Sequence, residues 1–194
     1  MWARRDRAHL ASAYGRAMAR PIRSPRELTQ EEYGWADDQV FKGSLPPRDR
    51  LVLTDTIGGG DRAFTFPRFD GKITLNLGAG AFDDPRKYPD RKYGETFIHE
   101  LVHAWQIHHT PMDLTFLAEA FATKVCEATG GGDPYSYGPA GASCGEFGIE
   151  AQAQIVEDWF AGNTPAGTDQ TGQACDTGSP YFQYVTGNIR TGST

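Results

Sequence analysis

Between Leu51 and Leu77 apolar residues come in short runs and alternate with polar ones; from Tyr93 onward they recur every three or four residues. The first pattern predicts strands and the second helices, because side chains alternate across a strand and repeat about every 3.6 residues around a helix. Three runs are strand-like: Leu51–Thr54, Arg62–Pro67 and Lys72–Leu77. Gly58-Gly-Gly-Asp61 separates the first two, and Asp70-Gly71 before the third is a hairpin signal. In the third run Ile73, Leu75 and Leu77 alternate with Thr74 and Asn76, as in a sheet with one face on the core. Ahead of the strands, Thr29 and Glu32 form a capping box for a helix reaching about Phe41, which Gly43-Ser-Leu-Pro-Pro47 ends. Behind them, helices are expected over about 93–109, from Pro111 to about Ala128, from near Gly145 to Phe160, and over Pro180–Arg190. A helix, a small antiparallel or mixed sheet and then further helices make the fold class α+β.

Length and charge narrow the picture. The chain of 194 residues suits one domain with a real core, placed here at 26–194. Residues 1–25 carry six of the arginines (Arg4, Arg5, Arg7, Arg16, Arg20 and Arg23), Arg26 follows, and Pro21 and Pro25 interrupt the segment, which reads as a basic arm. A net charge of −6 argues against nucleic acid as the main partner. No apolar run approaches the ~18 residues of a membrane span. The start, Met-Trp-Ala-Arg-Arg-Asp, lacks the apolar core of a secretory signal. The expected location is the cytoplasm, or outside the cell by a route that reads no such peptide or after its removal. Cys126, Cys144 and Cys175 are odd in number and contain no C-x-x-C pair, so they define neither a disulfide framework nor a thiolate zinc site. A single Cys144–Cys175 bridge stays open, since both lie in Gly-rich loops.

His99-Glu100-Leu101-Val102-His103 carries the chemistry. It sits mid-way along a helical stretch, so the two His lie one turn apart on one face and can grip one Zn²⁺. Glu100 falls beside them, where it can take a proton from metal-activated water. A catalytic zinc takes three protein ligands and keeps one position open. His109 stands where the extended H-E-x-x-H-x-x-G-x-x-H pattern puts a third His, but the helix-breaking Gly is replaced by Gln106. On an unbroken helix at about 100° per residue, His109 points away from His103. Glu150 is the better candidate: with Gln154, Glu157 and Asp158 it forms a narrow polar stripe flanked by apolar Ile149, Ala153, Val156 and Phe160 and by Ala151, Ile155 and Trp159. Glu119, off the apolar face of the preceding helix, is the runner-up.

Three blocks resemble the zincin metallopeptidases, and within them the gluzincins, in which a Glu on a downstream helix completes the site. They are Phe97-Ile-His-Glu-Leu-Val-His-Ala-Trp-Gln106, Tyr135-Ser-Tyr137 and Ile149-Glu-Ala-Gln-Ala-Gln-Ile-Val-Glu-Asp-Trp-Phe160. The nearest likeness is to small bacterial zinc-metallopeptidase domains found alone or with Rhs-type, polymorphic-toxin and secretion-associated proteins. The resemblance covers roughly residues 50–190. It implies a zincin fold, a Zn²⁺ cofactor, peptide or protein substrates, and hydrolysis with Glu100 as base, and it supports Glu150 as third ligand. Gluzincins place an Asp one turn after the ligand Glu to orient a zinc-bound His; Gln154 stands there instead, leaving Glu157 or Asp158 for the task. An edge strand just upstream of the active helix would pair with an extended substrate, and 72–77 is the expected strand. For the developing oxyanion the expected donor is Tyr137, with Tyr184 and His108 behind it. Two other readings are a zinc hydrolase or maturation enzyme acting on one small substrate or precursor peptide, and a non-catalytic zinc-binding interaction domain.

Overall fold

The computed structural model describes residues 22–89, 91–110, 135–163 and 173–194. Glu119, Cys126 and the helix expected from Pro111 lie outside them, as do residues 1–21 of the basic arm.

The described elements are β1 (Arg26–Glu27), α1 (Gln30–Ala36), β2 (Leu51–Thr54), β3 (Phe64–Pro67), β4 (Ile73–Asn76), α2 (Gly78–Ala81), α3 (Glu95–His109), α4 (Ile149–Ala161) and α5 (Phe182–Gly187). Helices with a small mixed sheet confirm the α+β class. The capping box at α1 forms: the Thr29 side chain accepts from the Glu32 N–H, and the Glu32 carboxylate accepts from the Thr29 N–H at 2.7 Å. The helix reaches Phe41 as expected, but its last turn, Asp37–Phe41, is π-helical and closes on Lys42 in the left-handed region. The third predicted helix starts later than Gly145. A 3₁₀ turn at Cys144–Glu146 comes first, and α4 begins at Ile149.

The sheet order is β1-β2-β4-β3. β1 pairs antiparallel with β2, β2 parallel with β4, and β3 antiparallel with β4. This corrects the expectation for 72–77: β4 is internal, and among the described residues the edge strand beside α3 is β3. The Asp70-Gly71 turn folds β3 back on β4, while the longer loop between β2 and β3 lets β4 insert beside β2. Arg68 donates its N–H to the Lys72 carbonyl at 2.8 Å, and the register pairs Phe66 with Thr74 and Phe64 with Asn76. Main-chain groups alternate in direction along an antiparallel strand, so Thr65 and Pro67 turn theirs outward from the sheet. Pro67 occupies the kind of edge position where a missing N–H costs no ladder bond.

Leu51, Leu53, Ile73 and Leu75 face the core, and α3 lies across them. α4 packs on α3 from the other side. Consequently nearly all of α3 is buried, including Phe97, Ile98, Leu101, Val102, Ala104 and Trp105. Each of the larger aliphatic and phenyl side chains among them contributes about 1.5–3 kcal/mol by leaving water. Entry into α3 depends on Gly94, whose φ of 82° is left-handed and whose hydrogen faces Trp35. Trp35 in turn meets Phe160 of α4 edge-on, so one aromatic joint holds α1, α3 and α4.

Candidate metal centre

The four polar residues His99, Glu100, His103 and Gln106 sit inside this buried helix at 2–8 % exposure. A polar side chain in such a place costs free energy unless it is partnered. Their partners come from α4 and β3 and define the site.

His99, His103 and Glu150 converge. The Nε2 atoms of the two imidazoles are 3.1 Å apart, and Glu150 Oε2 lies 3.1 Å from His103 Nε2 and 3.4 Å from His99 Nε2. Among the described residues they are the one His/Cys/Asp/Glu group with ligand atoms close enough to share a metal ion. The chemistry fits zinc. Two imidazole nitrogens and one carboxylate oxygen are the donor set of an open catalytic zinc site, and donors ~2.0–2.1 Å from a tetrahedral ion stand about 3.3 Å from one another. Burial alone would raise the Glu150 pKa, but the two imidazoles outweigh it and hold the carboxylate well below its usual range.

Behind this group, Glu157 Oε2 lies 2.7 Å from His99 Nδ1 as an ion pair. Burial alone would lower the His99 pKa, but Glu150 and Glu157 reverse this and push it up to about 10. Of the two acidic residues the sequence left for orienting a His, Glu157 is the one that meets His99, two turns beyond Glu150. Gln154 instead donates to Asp158 at 2.9 Å. His103 Nδ1 is 2.9 Å from Gln106 Oε1.

Glu100 points to the same region from the strand side. Thr65 of β3 donates its hydroxyl to Glu100 Oε2 at 2.7 Å. Burial raises the Glu100 pKa above the ordinary carboxylate range, against the opposing pull of both imidazoles and Thr65. His99 and Glu100 open into a cleft of about 340 Å³, also lined by Arg62, Tyr88, Arg91 and Tyr135. The Tyr135 ring centroid is 6.0 Å from that of His99, and the Arg62 guanidinium lies over its outer face.

Other candidates go elsewhere. Tyr137 does not line the cleft; its hydroxyl donates to Asp158 at 2.6 Å. Tyr184 donates to the Ala142 carbonyl, His108 pairs with Arg50, and His109 bonds the Ser44 carbonyl. Cys144 and Cys175 are free thiols. Three residues were missed in the sequence: Thr65, Tyr135 as distinct from Tyr137, and Gln152. A Tyr two residues before the expected one was visible; for Thr65 and Gln152 no local signal existed.

No protein-family model, curated protein or solved structure matches the chain. Among the described residues, no helix is long and apolar enough to cross a membrane.

Proposed function

We propose that this chain is a zinc metallopeptidase of the gluzincin type. The observation that carries the reading is the convergence of His99, His103 and Glu150 from two helices, with the Glu100 carboxylate beside them. A structural zinc site closes its shell with four protein ligands; the described residues offer three here and add a base such a site would not need. When bound, zinc supplies Lewis acidity that activates water near neutral pH and polarises the scissile carbonyl.

The protein's own groups do the rest. Thr65 holds Glu100 Oε2, which leaves Oε1 to accept the proton from water as the water oxygen bonds to the carbonyl carbon. The same carboxylic acid then gives that proton to the amide nitrogen as the C–N bond breaks. Its raised pKa suits a group that both takes and returns a proton. Tyr135, on the cleft wall beside His99, is the phenol best placed to donate to the developing oxyanion. An extended peptide can lie along β3, where the outward N–H and C=O of Thr65 are next to the base.

The test combines metal content with one substitution. Purified protein is expected to hold close to one zinc per chain and to cleave peptides from a mixed-sequence library. Glu100→Gln should retain the zinc and lose at least about 10³-fold in turnover, since it removes the base but no ligand. Loss of metal in this variant, or retained turnover, would refute the role given to Glu100.

A further inference from the structure

Two glutamines, Gln106 buried and Gln152 half-buried, form a relay that ends on His103. The Gln152 Nε2 group donates to the carbonyls of Cys144 at 3.1 Å and Phe147 at 2.9 Å. Both acceptors are main-chain oxygens, so this amide has one orientation only. Its Oε1 must therefore accept, and it takes a hydrogen from Gln106 Nε2 at 3.0 Å. Gln106 Nε2 also donates to the Ile149 carbonyl at 3.0 Å, which uses both of its hydrogens on oxygen acceptors. Turning the Gln106 amide over would set its oxygen against two oxygens and its NH₂ against the imidazole. Gln106 Oε1 is thus fixed as the acceptor for His103 Nδ1 at 2.9 Å. The hydrogen on Nδ1 is thereby fixed, and Nε2 is the nitrogen turned toward Glu150 and His99.

We infer that Gln106, held by Gln152, is a positioning residue for the metal: it sets the tautomer and ring orientation of His103 and ties the start of α4, and with it Glu150, to α3. The inference rests on the metal-site reading above. It joins two ligands that are 47 residues apart in sequence through one side chain at 2 % exposure. A ring pinned by its other nitrogen binds metal more tightly, and loss of such a partner costs about 10–100-fold in affinity. The Ile149 bond adds a geometric role. Ile149 immediately precedes Glu150 in the first turn of α4, so the carboxylate's approach depends on the same amide.

The test measures zinc affinity by chelator competition and the visible absorption spectrum of the cobalt-substituted protein, on Gln106→Leu, Gln106→Glu and Gln152→Leu. Gln106→Leu should weaken zinc binding about 10–100-fold and shift the cobalt bands. Gln106→Glu keeps an acceptor for His103 and should retain more affinity than Gln106→Leu, although both lose the tie to Ile149. A role confined to helix packing would make the two equally poor. Gln152→Leu touches no ligand, and should cost a smaller factor of about 3–10 by freeing the Gln106 amide to turn. It keeps the test open if the Gln106 variants do not fold. Wild-type zinc affinity and an unchanged cobalt spectrum in a folded Gln106→Leu or Gln152→Leu protein would overturn the relay. Failure of the unmodified protein to bind zinc at all would overturn the metal site itself.

Discussion

At the scale of single residues the site is a set of charges that stabilise one another. Glu150 sits with two imidazoles, and Glu157 backs one of them. Removing one member leaves its buried neighbour's charge less compensated, which is costlier than loss of a surface pair. Glu157→Gln should therefore keep the fold while weakening zinc about 10-fold, read by chelator competition. Glu150→Ala should cost far more affinity because it removes a ligand. Thr65→Val is nearly isosteric and removes only the donor to Glu100. It is expected to lower kcat about 10-fold with metal content unchanged, and to move the acid limb of the pH–rate profile upward, since the hydroxyl favours the ionised carboxylate. An unchanged acid limb would show that Thr65 does not act on the base. His99, Glu100 and His103 were legible in the sequence because their relation is local: a spacing of four on one helix. Glu150 was legible through its polar stripe. Gln152 and Thr65 were not, because their meaning lies in partners 35–46 residues distant.

Among the elements, α3 is the one on which β3, β4 and α4 all pack, and its entry is the most constrained point. A Cβ at Gly94 would come within 2.1 Å of the Trp35 ring, and the left-handed φ adds backbone strain. Gly94→Ala should destabilise the protein by about 3 kcal/mol, seen as a lower midpoint in chemical denaturation without a change in slope. A midpoint equal to that of the unmodified protein would mean that Trp35 moves freely. Strand order is the feature that pattern reading missed. Alternation identified three of the four strands, but nothing in it distinguishes an internal strand from an edge strand. The two-residue β1 is too short to leave a period, and its place beside β2 is set by Arg26. That guanidinium makes a fork to Glu32 at 2.7 and 2.8 Å and also reaches the Phe82 carbonyl.

Across the whole molecule, that fork makes stability depend on acid. Burial alone would raise the Glu32 pKa, but Arg26 and Thr29 outweigh it, and the net shift is downward. A carboxylate with a depressed folded-state pKa stabilises the fold above its unfolded value near 4.5, and the benefit is lost as pH falls through the folded pKa. Denaturation midpoints should therefore fall below about pH 4.5, and Glu32→Gln should flatten this limb at the cost of lower stability at neutral pH. An acid limb of unchanged steepness in the variant would assign the effect to other carboxylates.

The outer flank of β3, which pairs with no other strand among the described residues, also bears on how the protein behaves when concentrated. Open strand edges are templates on which identical chains add to one another, and the hazard grows with the length of uninterrupted donors and acceptors. Here the run is only four residues long, and Pro67 withholds the donor at one outward position. Thr65 is left as the single residue in the strand with both groups facing out. Such an edge can hold a short guest segment in one frame yet gives a second copy of the chain too little to grow on. Pro67→Val would restore the missing donor and lengthen the template. Heated side by side and followed by light scattering, the variant is expected to aggregate sooner than the parent; equal onset times would show that solubility is protected elsewhere.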